Sequence, residues 1–238
     1  MKLHDVRGVI FDKDGTLIEF QPFWIPVTCR VLSRLRELYR ADAIEYQDCL
    51  SALGVSEGGE VDPEGQLAVG TYGTISRAVS EVYARGGVEV DGASFLGDMT
   101  RAFEEEAARQ PCTLTADVHG LLAFLKKKRI RVAIATTDNT EVTQGFLREH
   151  RIAADIVSTC DGLIPKKPDA ELIGYCARAW DTTREHVLMV GDTPNDLRFA
   201  RNAGARTVGV LTGVSSERTL APYADLVLAN IGELKKVL

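Results

Sequence analysis

Apolar residues fall along this chain in two textures. A short unbroken run, Gly8-Val-Ile-Phe11, stops abruptly at Asp12-Lys-Asp-Gly15, as a buried strand does before a turn. From Pro22 to Gln110 apolar positions recur instead at three- and four-residue spacing, with Gly-rich joints and no run that reads as a buried strand. Pro26 predicts the first turn of a helix that carries Val27, Val31, Leu35 and Leu38 on one face. A second helix is predicted over Ala41–Leu53, followed by a loop-rich acidic stretch from Gly54 to Gly73. Helices over Thr74–Arg85, with Thr74 as a candidate N-cap, and over Gly92–Arg109 complete this part.

After Pro111 short apolar runs alternate with amphipathic stretches. Strands are predicted at Arg131–Ala135, Ile156–Ser158, Val187–Val190, Thr207–Leu211 and Leu226–Leu228. Helices are predicted over Ala116–Lys128, Asn139–His150 and Asp169–Ala179, with another between Val190 and Thr207. Such alternation predicts an α/β fold, a parallel sheet with helices on both faces. The first strand is cut off from the rest by an all-helical insertion. Residues 1–18 and 113–238 are therefore expected to form the core, and residues 19–112 a helical second domain.

Composition narrows the partners. At 238 residues, 45% hydrophobic and 26% charged, the chain has the profile of a globular protein of one large domain or two unequal ones. A net charge of −6 predicts neither a nucleic-acid partner nor an anionic membrane, and suits a monomer or small homo-oligomer. The basic run Lys126-Lys-Lys-Arg129 closes a predicted helix, so it reads as complementing the helix C-terminus. Five scattered cysteines without a C-x-x-C pair speak against a disulfide framework or a zinc site, and the four histidines show no ligand spacing. With no membrane-length apolar run and no signal peptide, a cytoplasmic location is expected.

Ligands of an open parallel sheet bind outside the carboxyl ends of its strands. Here Asp12 and Asp14 come directly after the first strand, and Thr136 and Thr137 after the second. Lys166 and Lys167 lie in the loop after Ile156–Ser158, while Gly191, Asp192 and then Asp196 come after Val187–Val190. Several carboxylates in one crevice repel each other unless a hard cation neutralises them, and a set of oxygens only selects Mg2+. A carboxylate can attack phosphorus, a second can protonate the leaving oxygen, and hydroxyl, ammonium and backbone N–H groups can hold the phosphoryl oxygens. The expected chemistry is phosphoryl transfer.

These segments together resemble the haloacid dehalogenase-like (HAD) hydrolase superfamily. Asp12-Lys-Asp-Gly-Thr-Leu17 is similar to its first motif, Ile134-Ala-Thr136 to its second, Lys167-Pro168 to its third and Gly191-Asp-Thr-Pro-Asn-Asp196 to its fourth. The helical insertion after the first motif resembles the cap of the phosphoglycolate-phosphatase and β-phosphoglucomutase branch. The resemblance implies a Rossmann-like core with an inserted cap, and a Mg2+-dependent phosphatase acting on a small phosphorylated metabolite through an aspartyl-phosphate. A β-phosphoglucomutase-like sugar-phosphate mutase is one alternative, and a non-catalytic protein or a receiver-type phosphorylation switch is another. It further implies Asp12 as nucleophile and Asp14 as general acid/base and, through its backbone carbonyl, metal ligand. Thr136, Thr137 and Lys167 would hold phosphate; Asp192 would bind the metal directly, along with Asp12, and Asp196 from an outer shell. Lys167 is preferred to Lys166 because it precedes Pro168, although Ala170 stands where the third motif often has a second proline. Gly73-Thr-Ile-Ser-Arg77 resembles a segment of mutase caps, which makes Arg77 a candidate substrate contact, while Phe23 and Trp24 are expected to close the hinge or pack the cap, with substrate contact as the alternative.

Overall fold

In chain order, strand β1 (Gly8–Phe11) is followed by five helices: α1 (Phe20–Leu38), α2 (Tyr46–Ala52), α3 (Gln66–Val69), α4 (Tyr72–Arg85) and α5 (Gly92–Ala107). Then α6 (Val118–Lys127), β2 (Arg131–Ala135), α7 (Thr140–Glu149), β3 (Ile156–Ser158), α8 (Glu171–Ala179) and β4 (Val187–Gly191) alternate. The chain continues through α9 (Pro194–Asn202), β5 (Arg206–Val210), α10 (Glu217–Leu220), β6 (Leu226–Leu228) and α11 (Leu234–Val237). The structure, a computed structural model, describes residues 3–238. The chain divides into one unit of Met1–Phe20 with Thr113–Leu238 and a second of Gln21–Cys112.

The first unit is built on one sheet in the order β3-β2-β1-β4-β5-β6, with every pair parallel. This is a Rossmann-like arrangement, and the strand order reverses between β1 and β4. Phe11, the last residue of β1, lies level with Ile134 on one side and Val190 on the other, so three strand ends come out together. Alternate residues explain the two covered faces. Ile10, Ala133, Ala135, Val187 and Met189 pack with Leu172, Ile173 and Cys176 of α8 and Phe199 and Ala200 of α9. Val9, Phe11, Val132, Ile134, Leu188 and Val190 point the other way and are equally buried. Because both faces are dry, these strands read as unbroken apolar runs.

The second unit is helical among the described residues, save an isolated bridge between Val55 and Val61. Phe23, Trp24, Tyr72 and Phe103 form its aromatic centre: Phe23 meets Trp24 edge-on at 5.0 Å, and Tyr72 stacks on Phe103 at 5.0 Å. Here the structure corrects three expectations. Helix α1 starts at Phe20, which leaves Pro26 inside it and not in its first turn. Pro26 has no N–H for the carbonyl of Pro22, and the Gln110 side-chain amide donates to that oxygen instead, at 3.0 Å. Helix α2 begins at Tyr46, since Arg40 is left-handed (φ 51°) and Glu45 is extended, which keeps the chain from Ala41 onward in turns. The N-cap of α4 is Thr71, with Thr74 as its reciprocal partner three residues on, so the helix starts at Tyr72, ahead of the predicted Thr74.

Candidate active site

Backbone pairing carries β1 one residue further: the Asp12 N–H donates to the Val190 carbonyl at 2.9 Å, which places Asp12 at the reversal point of the sheet. The chain then turns tightly, with the Leu17 and Ile18 N–H groups both donating to the Lys13 carbonyl. Gly15 takes φ 79° in this turn, and a Cβ there would lie 2.4 Å from Asp192 Oδ2. Only glycine meets both conditions.

Asp192 and Asp196 reach the same point from the end of β4 and the first turn of α9. Oxygens of Asp12, Asp192 and Asp196 lie within 4.8 Å of one another, and all three residues are buried. Lys167, on the loop between β3 and α8, sends its ammonium among them, with Nζ 2.5 Å from Asp12 Oδ1 and 2.7 Å from Asp196 Oδ1. Its neighbour Lys166 is exposed and donates to the Cys160 carbonyl. Three carboxylates against one ammonium leave an excess of two negative charges in a dry site. Burial is accordingly the main cause that pushes the Asp12 carboxyl up to about 7, with Asp196 and Asp14 adding to it and Lys167 opposing it. Asp192 rises well above the carboxylate range for the same first reason. Lys167 is held charged: Asp12 and Asp196 outweigh the burial that would discharge it.

Each carboxylate is oriented by its own partners. The Val214 N–H donates to Asp192 Oδ2 at 2.9 Å, and Gly213 lets that loop approach, because a Cβ at 213 would fall 1.8 Å from the same oxygen. Asp192 Oδ1 is buried with no hydrogen-bond partner. Such an atom is costly in a protein interior and suits a cation's inner shell. Asp196 has both oxygens engaged, Oδ1 by Lys167 and Oδ2 by the Thr193 hydroxyl at 2.6 Å in the capping box that opens α9. Its effect on a cation would be through its charge. An all-oxygen set with one unsatisfied carboxylate oxygen and two excess negative charges fits a hard divalent ion.

Asp14 sits beside this cluster. Lys13 Nζ is 2.5 Å from Asp14 Oδ1 and 3.1 Å from Asp138 Oδ2, with only 1% of the Lys13 side chain exposed. The Thr136 hydroxyl accepts from the Asp138 N–H at 3.1 Å and lies 3.5 Å from Asp14 Oδ2. Thr137 is half-buried, and its side chain takes no part in these hydrogen bonds. Arg77 belongs to the second unit, exposed on α4. Sequence reasoning missed the Lys13–Asp138 pair and the Val214 contact. An ionisable residue directly behind a buried strand and a glycine shortly after β5 mark the two places, but neither names the partner that a separate loop brings to it.

Comparison with known proteins places this geometry in a family. Residues 6–204 match the description of the haloacid dehalogenase-like hydrolases. The chain is 26% identical over 232 residues to pyrophosphatase PpaX of Bacillus velezensis, covering 96% of this chain and 94% of that protein. It is 25% identical over 248 residues to phosphoglycolate phosphatase of Vibrio parahaemolyticus, covering 100% of this chain and 98% of the relative. In fold it matches a crystal structure from Haemophilus somnus, described as a predicted phosphoglycolate phosphatase, with a TM-score of 0.74, 17% identity and 99% of both chains covered. The chain belongs to the haloacid dehalogenase-like hydrolases.

Proposed function

We propose that this protein is a Mg2+-dependent phosphatase that hydrolyses a small-metabolite phosphomonoester through an aspartyl-phosphate on Asp12. The observation that carries the reading is the meeting of Asp12, Asp192 and Asp196 with Lys167 at the reversal point of the sheet. The relatives named above, a pyrophosphatase and a phosphoglycolate phosphatase, support small phosphorylated substrates. Asp12 and Asp192 would hold the metal together with the Asp14 carbonyl, with Asp196 adding charge behind them. When bound, the ion would neutralise the excess charge and draw electrons from the phosphoryl group.

In the first step a carboxylate oxygen of Asp12 bonds to phosphorus as the bond to the substrate's bridging oxygen breaks. The electron pair leaves with that oxygen, and Asp14 supplies its proton. Lys167 and the Thr136 hydroxyl, with Thr137 beside it, hold the phosphoryl oxygens where charge develops. In the second step Asp14 takes a proton from water, whose oxygen bonds to phosphorus as the bond to Asp12 breaks, releasing inorganic phosphate and restoring both carboxyl groups. The helical unit is the proposed cap, and Arg77 its candidate substrate contact. Release of phosphate from a panel of small phosphate esters, with Asp12→Asn as control, tests the reading. Metal-dependent turnover lost in that variant is expected, and turnover within tenfold of wild type would refute the role of Asp12.

A further inference from the structure

At the other end of the sheet, the C-terminal ends of α6 and α7 and the start of β2 border an open groove of about 600 Å³. Lys126, Arg129, Arg131, Arg151 and His119 line it, and Asp155 is its one lining carboxylate. Asp155 is already engaged, 3.2 Å from the Arg131 guanidinium and accepting the Val132 N–H at 2.8 Å. Among the described residues Lys126, Arg129 and Arg151 form no ion pair.

Helix-end capping does not account for this charge. Each helix C-terminus carries roughly half a negative charge, so two of them with Asp155 balance about two of the four cations. The basic run at 126–129 also divides. Lys128 turns away to the Leu238 carbonyl at 2.9 Å and the Phe124 ring, whereas Lys126 and Arg129 face the groove. Arg129 and Arg151 further occupy left-handed positions, φ 59° and 51°, where glycine or asparagine is the less strained residue. Leu122, Ile130 and Val132 add an apolar wall, and the volume lies within the ~300–1,000 Å³ of small-molecule sites.

We propose that this groove binds a small organic or inorganic polyphosphate, a compound with two or more linked phosphates such as a nucleoside triphosphate, at a site separate from the acidic cluster. The proposal does not depend on the reading of the active site. Five strand steps, at ~3.3 Å each, separate Arg131 from Thr136, which puts the two sites on the order of 16 Å apart. The test is a titration of the full-length, ¹⁵N-labelled protein in chelator with tripolyphosphate, ATP and inorganic phosphate, read by amide shifts. Saturable shifts at residues 126–132 and 151–155 are expected, with those of Asp12–Gly15 unmoved, and with phosphate binding at least tenfold more weakly than the other two. The double variant Arg129→Asn/Arg151→Asn, which keeps residues that tolerate left-handed backbone, should bind tripolyphosphate about tenfold more weakly, as the loss of two exposed charge contacts implies. Shifts confined to residues 12–16 and 191–193, equal affinity in the double variant, or equal affinity for phosphate and tripolyphosphate would overturn the proposal.

Discussion

Lys167 approaches Asp12 to 2.5 Å from a loop 155 positions further along the chain, and it holds Asp196 with the same ammonium. Its neighbour Lys166 is turned outward to a backbone carbonyl. The two lysines differ in environment far more than their adjacency implies. Loss of one preorganised donor at a developing charge costs ~10²–10³ in rate. Lys167→Ala is expected to lower kcat by about that factor and Lys166→Ala by at least tenfold less. Steady-state kinetics of both variants checks this, and equal losses would contradict it.

A cation that binds only the folded site adds stability. At a hundred times its dissociation constant the gain is about 2.7 kcal/mol. For a chain of this size that corresponds to a rise in Tm of roughly 5–10 °C. Mg2+ added to chelated protein should produce it. Gly213→Ala drives a Cβ to 1.8 Å from Asp192 Oδ2 and should abolish most of the rise, because the carboxylate must move. Thermal melts with and without Mg2+ measure both effects.

Metal-free stability should depend on pH through Asp12. Its carboxyl rises from 3.8 to about 7 on folding, so between those values the folded state binds a proton that the unfolded state has released. The stability it contributes is present below about pH 4 and is lost as pH rises toward about 7. In chelator, the stability of Asp12→Asn relative to wild type should therefore grow from pH 5 to 7 and level off above. Urea unfolding at each pH measures it, and a difference that stays constant or shrinks would contradict the burial argument.

The Lys13 ammonium lies between two carboxylates, Asp14 and Asp138, in a nearly dry site. Removing one partner of a buried pair typically costs ~3–5 kcal/mol. Lys13→Met is expected to destabilise on that order. Adding Asp138→Asn should recover part of the loss, which a double-mutant cycle by urea denaturation would measure.

The strands were the most legible part of the chain. Strands β2, β3 and β6 have the bounds their short β-branched and aliphatic runs predict, and in β2 the four residues after Arg131 are buried and apolar. Helix ends were less legible because they depend on partners distant in sequence: the interior Pro26 is tolerated where Gln110 supplies a donor. The site shows the same division. Asp12, Asp192, Asp196 and Lys167 could be gathered from the polar residues just past the carboxyl ends of the strands. The Lys13–Asp138 pair and the Val214 N–H on Asp192 could not, because they arise only once separate loops have met.

The stereochemical course at phosphorus tests the covalent role of Asp12 most directly. A good substrate carrying a phosphoryl group made chiral with oxygen isotopes would be turned over in isotopically defined water, and the configuration of the released phosphate read. Two successive in-line displacements, first by Asp12 and then by water, predict net retention. Net inversion would mean that water attacks the substrate directly and that no aspartyl-phosphate is formed.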